Sequence, residues 1–250
     1  MRRMPREPRL RDAAIITVIG YVMSWGVPFA SFKILPKLYV ADDAARTTQN
    51  IVANQGLFVV VIFAFLINFI GDIVAAWGLY LLLRPVNAAV SMFVAWLRVV
   101  FATLGPAAVL NLVTAHRLLT RSAALKALGQ DQVNAQVHVA IGAFNSQFAF
   151  SLILFGVYLL LLAWLVYRSG YVPKWVGIAV AIAGAGWIIM ESGPYLLPGI
   201  DVGFLFVASF GELILLVWLV GWGTRLSDKD RNIPTTFAEP VRNPGRPDRR

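Results

Sequence analysis

The chain has 250 residues, 58% of them hydrophobic and 14% charged, with a net charge of +9 and a mean hydropathy of +0.70. Ordinary soluble domains carry about 25% charged residues, so a water-soluble fold of this size is excluded for want of polar surface. The chain has no cysteine, which removes disulfides, cysteine zinc sites, iron–sulfur clusters and thiol catalysis.

Crossing about 30 Å of hydrocarbon takes about 20 helical residues, and a helix satisfies its own backbone groups in lipid. Residues 1–12 form a basic arm, which the charge pattern places in the cytoplasm. The first apolar run, 13–35, is longer than the roughly 7 to 15 residues of a secretory signal core, so it reads as a retained span. Runs at 57–83 and 88–113 follow, joined by the tight turn Arg84, Pro85, Val86 and Asn87. Residues 114–143 are more polar and contain an amphipathic stretch, 118–128, closed by Gly129. That stretch is expected to lie on the membrane surface as a short helix. Spans at 144–167, 175–190 and 202–223 complete a single transmembrane domain, 13–225, and the basic, proline-rich tail 226–250 is expected to be disordered. The predicted fold class is therefore all-α: a polytopic transmembrane bundle of about six spans with one short amphipathic surface helix between spans three and four.

Lysine and arginine set the orientation. With the N-terminus inside, fifteen of the 22 fall on the cytoplasmic side, six on the outer side, and Arg98 lies within a span. Both termini are thus expected in the cytoplasm of a cell whose plasma (inner) membrane holds the protein. Tyr167, Tyr171, Trp175 and Trp222 cluster at the cytoplasmic span ends, where amphipathic rings prefer the interface. This placement of basic residues serves membrane topology and contact with anionic lipids, and argues against nucleic acid as a partner. No internal repeat of the kind that builds many transporters is visible.

Charged groups in mid-membrane cost about 2.5 to 3.5 kcal/mol each on the insertion scale, so each needs a partner or a wet cavity. Three spans carry one: Asp72, Arg98 and Glu212. Counted at about 1.5 Å per residue from the cytoplasmic span ends, they lie about 18, 16 and 20 Å deep. At one level, and with spans two and three adjacent through their short turn, they are expected to form two acids around one guanidinium. One carboxyl then lacks a full countercharge and is the group able to carry a proton. Other polar residues follow helical stripes expected to face inward: Thr17, Tyr21, Ser24 and Pro28 on span one; Asn68 one turn before Asp72; Ser91 seven before Arg98; Gln147, Ser151 and Tyr158 on span four. Gly177, Ala181 and Gly184 make a close-packing face on span five. The candidate binding set is Tyr21, Asn68, Asp72, Ser91, Arg98, Tyr158 and Glu212, with Asp72, Glu212 and Arg98 the candidates for any catalysis. The alternative is that these groups only fix helix register.

Zinc-protease, phosphate-loop, nucleophile-elbow and di-iron patterns are all absent. His116 and His138 stand alone in the polar segment, Trp77 and Trp96 read as packing residues, and neither a metal nor a cofactor is expected. Several stretches nevertheless carry a resemblance. Gly71-Asp72, Leu79 to Asn87 (LYLLLRPVN), Trp96-Leu97-Arg98, Tyr167 to Gly177 (YRSGYVPKWVG) and Gly211-Glu212-Leu213 occur in order along the chain. Together they are similar to the bacterial integral membrane family called domain of unknown function 4386, and the arginine-serine-glycine-tyrosine-x-proline turn is their most specific piece. The resemblance implies a helical membrane fold and no activity. It also implies a histidine in the fourth span where this chain has Tyr158.

Three functions fit these residues. The first is a protein that binds or moves a small or amphipathic molecule, with membrane lipids as its other partners. The second is an intramembrane enzyme acting on a lipophilic substrate, an isoprenoid or lipid cyclase, isomerase or hydrolase using Glu212 and Asp72. The third is an accessory subunit whose ion cluster is structural. No feature sets the oligomeric state.

Overall fold

The computed structural model describes residues 9–24, 33–120, 128–196 and 199–227. Every regular element in them is helical, in the order α1 Leu10–Ser24, α2 Leu35–Leu38, α3 Ala44–Ala53, α4 Gln55–Leu83, α5 Ala88–Thr120, α6 Gln130–Arg168 and α7 Lys174–Leu196. A 3-10 segment, Gly203–Phe210, then runs directly into α8, Gly211–Trp222, and a last 3-10 turn, Gly223–Arg225. Among the described residues, five helices are long and apolar enough to cross a membrane: α4, α5, α6, α7 and the composite Gly203–Arg225. The chain is an all-α, multi-pass membrane bundle. Of the predicted first span, α1 covers the N-terminal part, and residues 25–32, Pro28 among them, lie outside the described residues. So do most of the basic arm, the tail from 228 onward and residues 121–127.

The spanning helices pack in chain order, α1 on α4, α4 on α5, α5 on α6, α6 on α7 and α7 on the last span, which in turn meets α1. The ring is therefore closed. Their outer faces stay as apolar as their inner ones: Phe63, Ile70 and Trp77 on α4 and Phe93 and Trp96 on α5 are exposed. A helix apolar on all sides suits lipid on one face and protein on the other. Trp77 and Trp96 thus face outward rather than packing in the core.

One end of the ring is tightly closed. The turn at residues 84–87 has Asn87 accepting a hydrogen bond from the Val90 N–H at 3.0 Å, and the Ser91 hydroxyl donates to the Tyr80 carbonyl at 3.1 Å. In the second turn, Gly170 takes φ +75°, which only glycine adopts without strain. Ser169 Oγ accepts from the Val172 N–H at 3.1 Å, and the Tyr171 hydroxyl donates to the Leu82 carbonyl on α4. The serine-glycine-tyrosine motif therefore ties the α6–α7 turn to the end of α4. Gly223 at the C-terminal end of the last span lies against Ala14 of α1, so the start of α1 and the end of the last span meet on this same side.

The opposite end corrects several expectations. Helices α5 and α6 have 33 and 39 residues, about 50 and 58 Å at 1.5 Å per residue, and project well beyond a 30 Å core. Residues 114–120 and 130–143 are thus continuations of the two spans, and residues 118–120 end α5 rather than open a separate surface helix; 121–127 lie outside the described residues. The amphipathic helix is instead α3, in the preceding loop. Asp43 caps it by accepting from the Arg46 N–H at 2.8 Å, and it buries Thr47, Thr48 and Ile51 against its neighbours, α6 among them. A strong cap and an apolar face one turn apart make such a helix. Tyr39 stacks on His138 with ring centroids 5.2 Å apart, and Asn111 donates to Gln147 at 2.9 Å. Gln147 is exposed there, not turned inward with its stripe. Helix α7 also exceeds its predicted 175–190, reaching Leu196.

Small residues set the closest helix contacts. A Cβ on Gly71 would come within 2.6 Å of the Gly20 carbonyl oxygen, and one on Gly78 within 2.5 Å of Thr17. On the other side of the ring, Gly156 and Gly184 meet face to face, as the small-residue face of span five anticipates. Gly71→Leu is expected to lower the thermal midpoint of the purified protein by the equivalent of about 1–3 kcal/mol of overpacking. Gly142→Ala, whose Cβ meets nothing within 4 Å, should leave it level or slightly higher; equal behaviour of the two variants would contradict the close α1–α4 contact.

Candidate functional site

Arg98 is the centre of the site. It lies in mid-α5 and is 1% exposed. Its guanidinium Nη2 donates to Asp72 Oδ1 of α4 at 2.6 Å, and Nη1 donates to both Glu212 Oε1 of α8 and the Tyr158 hydroxyl of α6, each at 2.5 Å. Tyr158 in turn donates to Glu212 Oε1 at 3.1 Å. Asp72 is held further by Asn68 Nδ2, which donates to its other oxygen, Oδ2, at 3.0 Å, and by the Ser24 hydroxyl of α1, which donates to Oδ1 at 3.2 Å. Five elements thus converge on one charge. The three depths counted from sequence meet at contact distance, as the planar fork of an arginine serving two carboxylates requires.

Local features of each helix make this meeting possible. Gly20 and Gly71 bring the α1 and α4 backbones together, so Ser24 reaches Asp72. Gly211 lies against the Ala179 carbonyl and the Ala183 side chain of α7, where any Cβ would collide. This seats the start of α8 against α7, with Glu212 in its first turn. Gly105 lies under the Phe69 ring. That ring meets Phe101, which meets Phe155 at 4.8 Å, which meets Tyr158 at 5.3 Å. The guanidinium carbon stands 4.9 Å from the Tyr21 ring centroid, 5.1 Å from Tyr158 and 5.7 Å from Phe155, each contact worth about 0.5–2 kcal/mol.

Above the cluster, towards the end of the bundle opposite the two tight turns, opens a cavity of about 670 Å³. Its floor holds Tyr21, Asn68, Asp72, Arg98 and Glu212. Its walls are mainly apolar: Phe101, Phe148, Leu152, Trp187, Phe206 and Phe210 are among them. Below the cluster the interior is packed by buried Leu79, Leu83, Val94, Leu162, Val166 and Leu219. The buried hydroxyls on that side, Ser91 and Thr17, are taken by the Tyr80 and Ala13 carbonyls. The cavity is therefore a blind pocket with a charged floor.

Of the residues singled out from sequence, Tyr21, Asn68, Asp72, Arg98 and Glu212 line this pocket, and Tyr158 joins them through its hydroxyl. Ser91 is not brought to the cluster. Glu191 also lines the pocket and escaped the sequence reading, because the fifth span was ended one residue before it, at Met190. A lone acid on an otherwise uncharged apolar stretch was its only signal.

Removing the guanidinium leaves the buried Asp72 and the part-buried Glu212 carboxylates uncompensated. Arg98→Gln is expected to lower unfolding stability by about 3–5 kcal/mol. The triple variant Asp72→Asn, Arg98→Gln and Glu212→Gln should recover much of that loss when compared by thermal or denaturant unfolding in detergent. A triple variant as unstable as the sum of its singles would show that the groups are not energetically coupled.

Comparison with known proteins agrees with this architecture. The family model described as domain of unknown function DUF4386 matches residues 18–223, which span all the clustered side chains. An uncharacterised protein of Archaeoglobus fulgidus is 31% identical over 173 residues, covering 69% of this chain and 85% of the relative. That relative is archaeal, which widens the bacterial distribution implied by the resemblance. No solved structure matches the chain. On the extent of that match, residues 18–223, this chain belongs to the DUF4386 family.

Proposed function

We propose that the protein binds an amphipathic small molecule in the intramembrane pocket, with the polar part of the ligand on the Asp72, Arg98 and Glu212 floor and its apolar part along the aromatic walls. The observation that carries this reading is the joining of a cavity of about 670 Å³ to a charged cluster beneath mainly apolar walls. That volume lies within the roughly 300–1,000 Å³ of small-molecule sites, which combine apolar linings with a few convergent polar groups. A purely structural ion cluster has no need of an adjoining cavity. The packed apolar layer beneath the cluster favours capture of a molecule over continuous passage through the bundle.

A second reading rests on the two carboxylates sharing one guanidinium at the floor of a single pocket. Such a pair can pass a proton to and from a bound lipophilic molecule. The two readings separate on one variant, Glu212→Gln: retained binding with lost conversion of the bound molecule supports an enzyme, whereas loss of binding alone supports a receptor or carrier.

Native mass spectrometry of the detergent-purified chain should release a bound amphiphile. Ala149→Trp, which places an indole in the cavity wall, is expected to reduce its occupancy by about tenfold or more, on the scale of a blocked apolar site, without a fall in thermal midpoint. A wild-type protein with no bound or saturably binding amphiphile would sink the proposal.

The proposed setting is the cell membrane, with the end bearing the turns at 84–87 and 169–173 in the cytoplasm and the pocket opening towards the outer leaflet. Support comes from the excess of lysine and arginine on the turn side. Since the chain has no cysteine, single cysteines report topology directly. In intact cells a membrane-impermeant maleimide is expected to label Asp42→Cys at once and Asn87→Cys only after permeabilisation; the reverse pattern would invert the orientation.

A further inference from the structure

We infer that the pocket selects an organic cation, a protonated amine carried on an apolar body. This inference rests on the proposed amphiphile site and adds the charge of its occupant. Among the residues that line the cavity are three acids, Asp72, Glu191 and Glu212, and a single base, Arg98. With all four ionised, the lining carries two uncompensated negative charges. The one positive group is also hidden: Arg98 is 1% exposed, and Asp72, Glu212 and Tyr158 occupy its terminal nitrogens. An anionic headgroup entering the pocket would meet carboxylates, because the one guanidinium nitrogen without a partner, Nε, is itself buried.

Two of the acids, by contrast, remain available. The Glu212 side chain keeps 17% of its surface exposed although Arg98 and Tyr158 both bond its Oε1. Glu191 has neither an ion-pair nor a hydrogen-bond partner among the described residues. Its neighbours on the lining include the rings of Trp187 and Phe206, whose negative faces attract a cation. An independent observation comes from Tyr21, which is 3% exposed, lines the same cavity and has a hydroxyl that makes no well-formed hydrogen bond. Its oxygen is an acceptor for an ammonium N–H. Acceptors, carboxylates and aromatic faces in one mainly apolar pocket form the chemistry that recognises an ammonium group. The mainly apolar walls suit an ammonium carried on an apolar body.

The test uses the full chain in nanodiscs of zwitterionic lipid, with empty nanodiscs subtracted. Three chain-matched probes, dodecylamine, 1-dodecanol and dodecanoate, are titrated at pH 7, where an alkylamine like the lysine side chain is protonated. Dodecylamine is expected to bind saturably and about tenfold or more tighter than either other probe, as a cation desolvated among carboxylates and rings should. Glu191→Gln, at a partly exposed position outside the ion cluster, is expected to weaken dodecylamine severalfold while leaving the thermal midpoint unchanged. If 1-dodecanol or dodecanoate binds as tightly as the amine, or if Glu191→Gln leaves the amine's affinity intact, the cation assignment is overturned and the amphiphile site stands. If none of the three binds saturably, both readings are overturned.

Discussion

The burial of the Arg98 guanidinium is the constraint around which the bundle is arranged. A full charge in the middle of a membrane domain is tolerated only when its donors are matched, and here the matching groups come from helices far apart in the chain. Asp72 arrives from α4, Tyr158 from α6 and Glu212 from α8, while α1 reaches in through Ser24 to hold the second contact of Asp72. Each spanning helix except α7 contributes a bond, and α7 contributes the alanine surface against which Gly211 seats Glu212. Satisfying one side chain thereby specifies the order and register of the ring, in a solvent where apolar packing alone discriminates poorly between alternatives.

The cluster also divides the bundle into unlike halves. On the side of the tight turns, leucine and valine fill the interior and two short connections clamp the helices, one of them through the Tyr171 bond to the Leu82 carbonyl. On the other side, bulky aromatics and the long projections of α5 and α6 hold the helices apart, and a cavity remains. Phe65, Phe69, Phe101 and Phe155 form a run of ring contacts that ends at Tyr158. Rigid rings of this size leave voids that flexible aliphatic chains would fill. A void next to a charged floor is what turns a structural device into a place where a molecule can be recognised.

In the fourth span the family resemblance implies histidine, and this chain has tyrosine. The hydroxyl of Tyr158 accepts from Arg98 and donates to Glu212, two bonds that a neutral imidazole could also make through its separate nitrogens. Tyr158 thus bridges base and acid in this chain.

By itself, the sequence determined that the chain lives in a membrane, because its apolar runs pass a length and hydropathy threshold that lipid imposes on any chain; it offered six such runs, and five helices among the described residues pass that threshold. It also placed Asp72, Arg98 and Glu212 at one depth, since helical rise is constant and the tight turn at 84–87 gave a common origin for two of the three. Only the tertiary structure decided that Tyr158 completes the cluster, that Ser91 and Gln147 do not belong to it, and that Glu191 faces the same pocket. Periodicity assigns a residue to a face of its own helix, but the helix it meets there depends on contacts between segments distant in sequence. The ends of α5, α6 and α7 were misjudged for a related reason: polar residues beyond the hydrocarbon still continue a helix when a neighbour packs against it, as α3 does against α6. A cavity is what remains after all the side chains have found their places, and no local pattern encodes it.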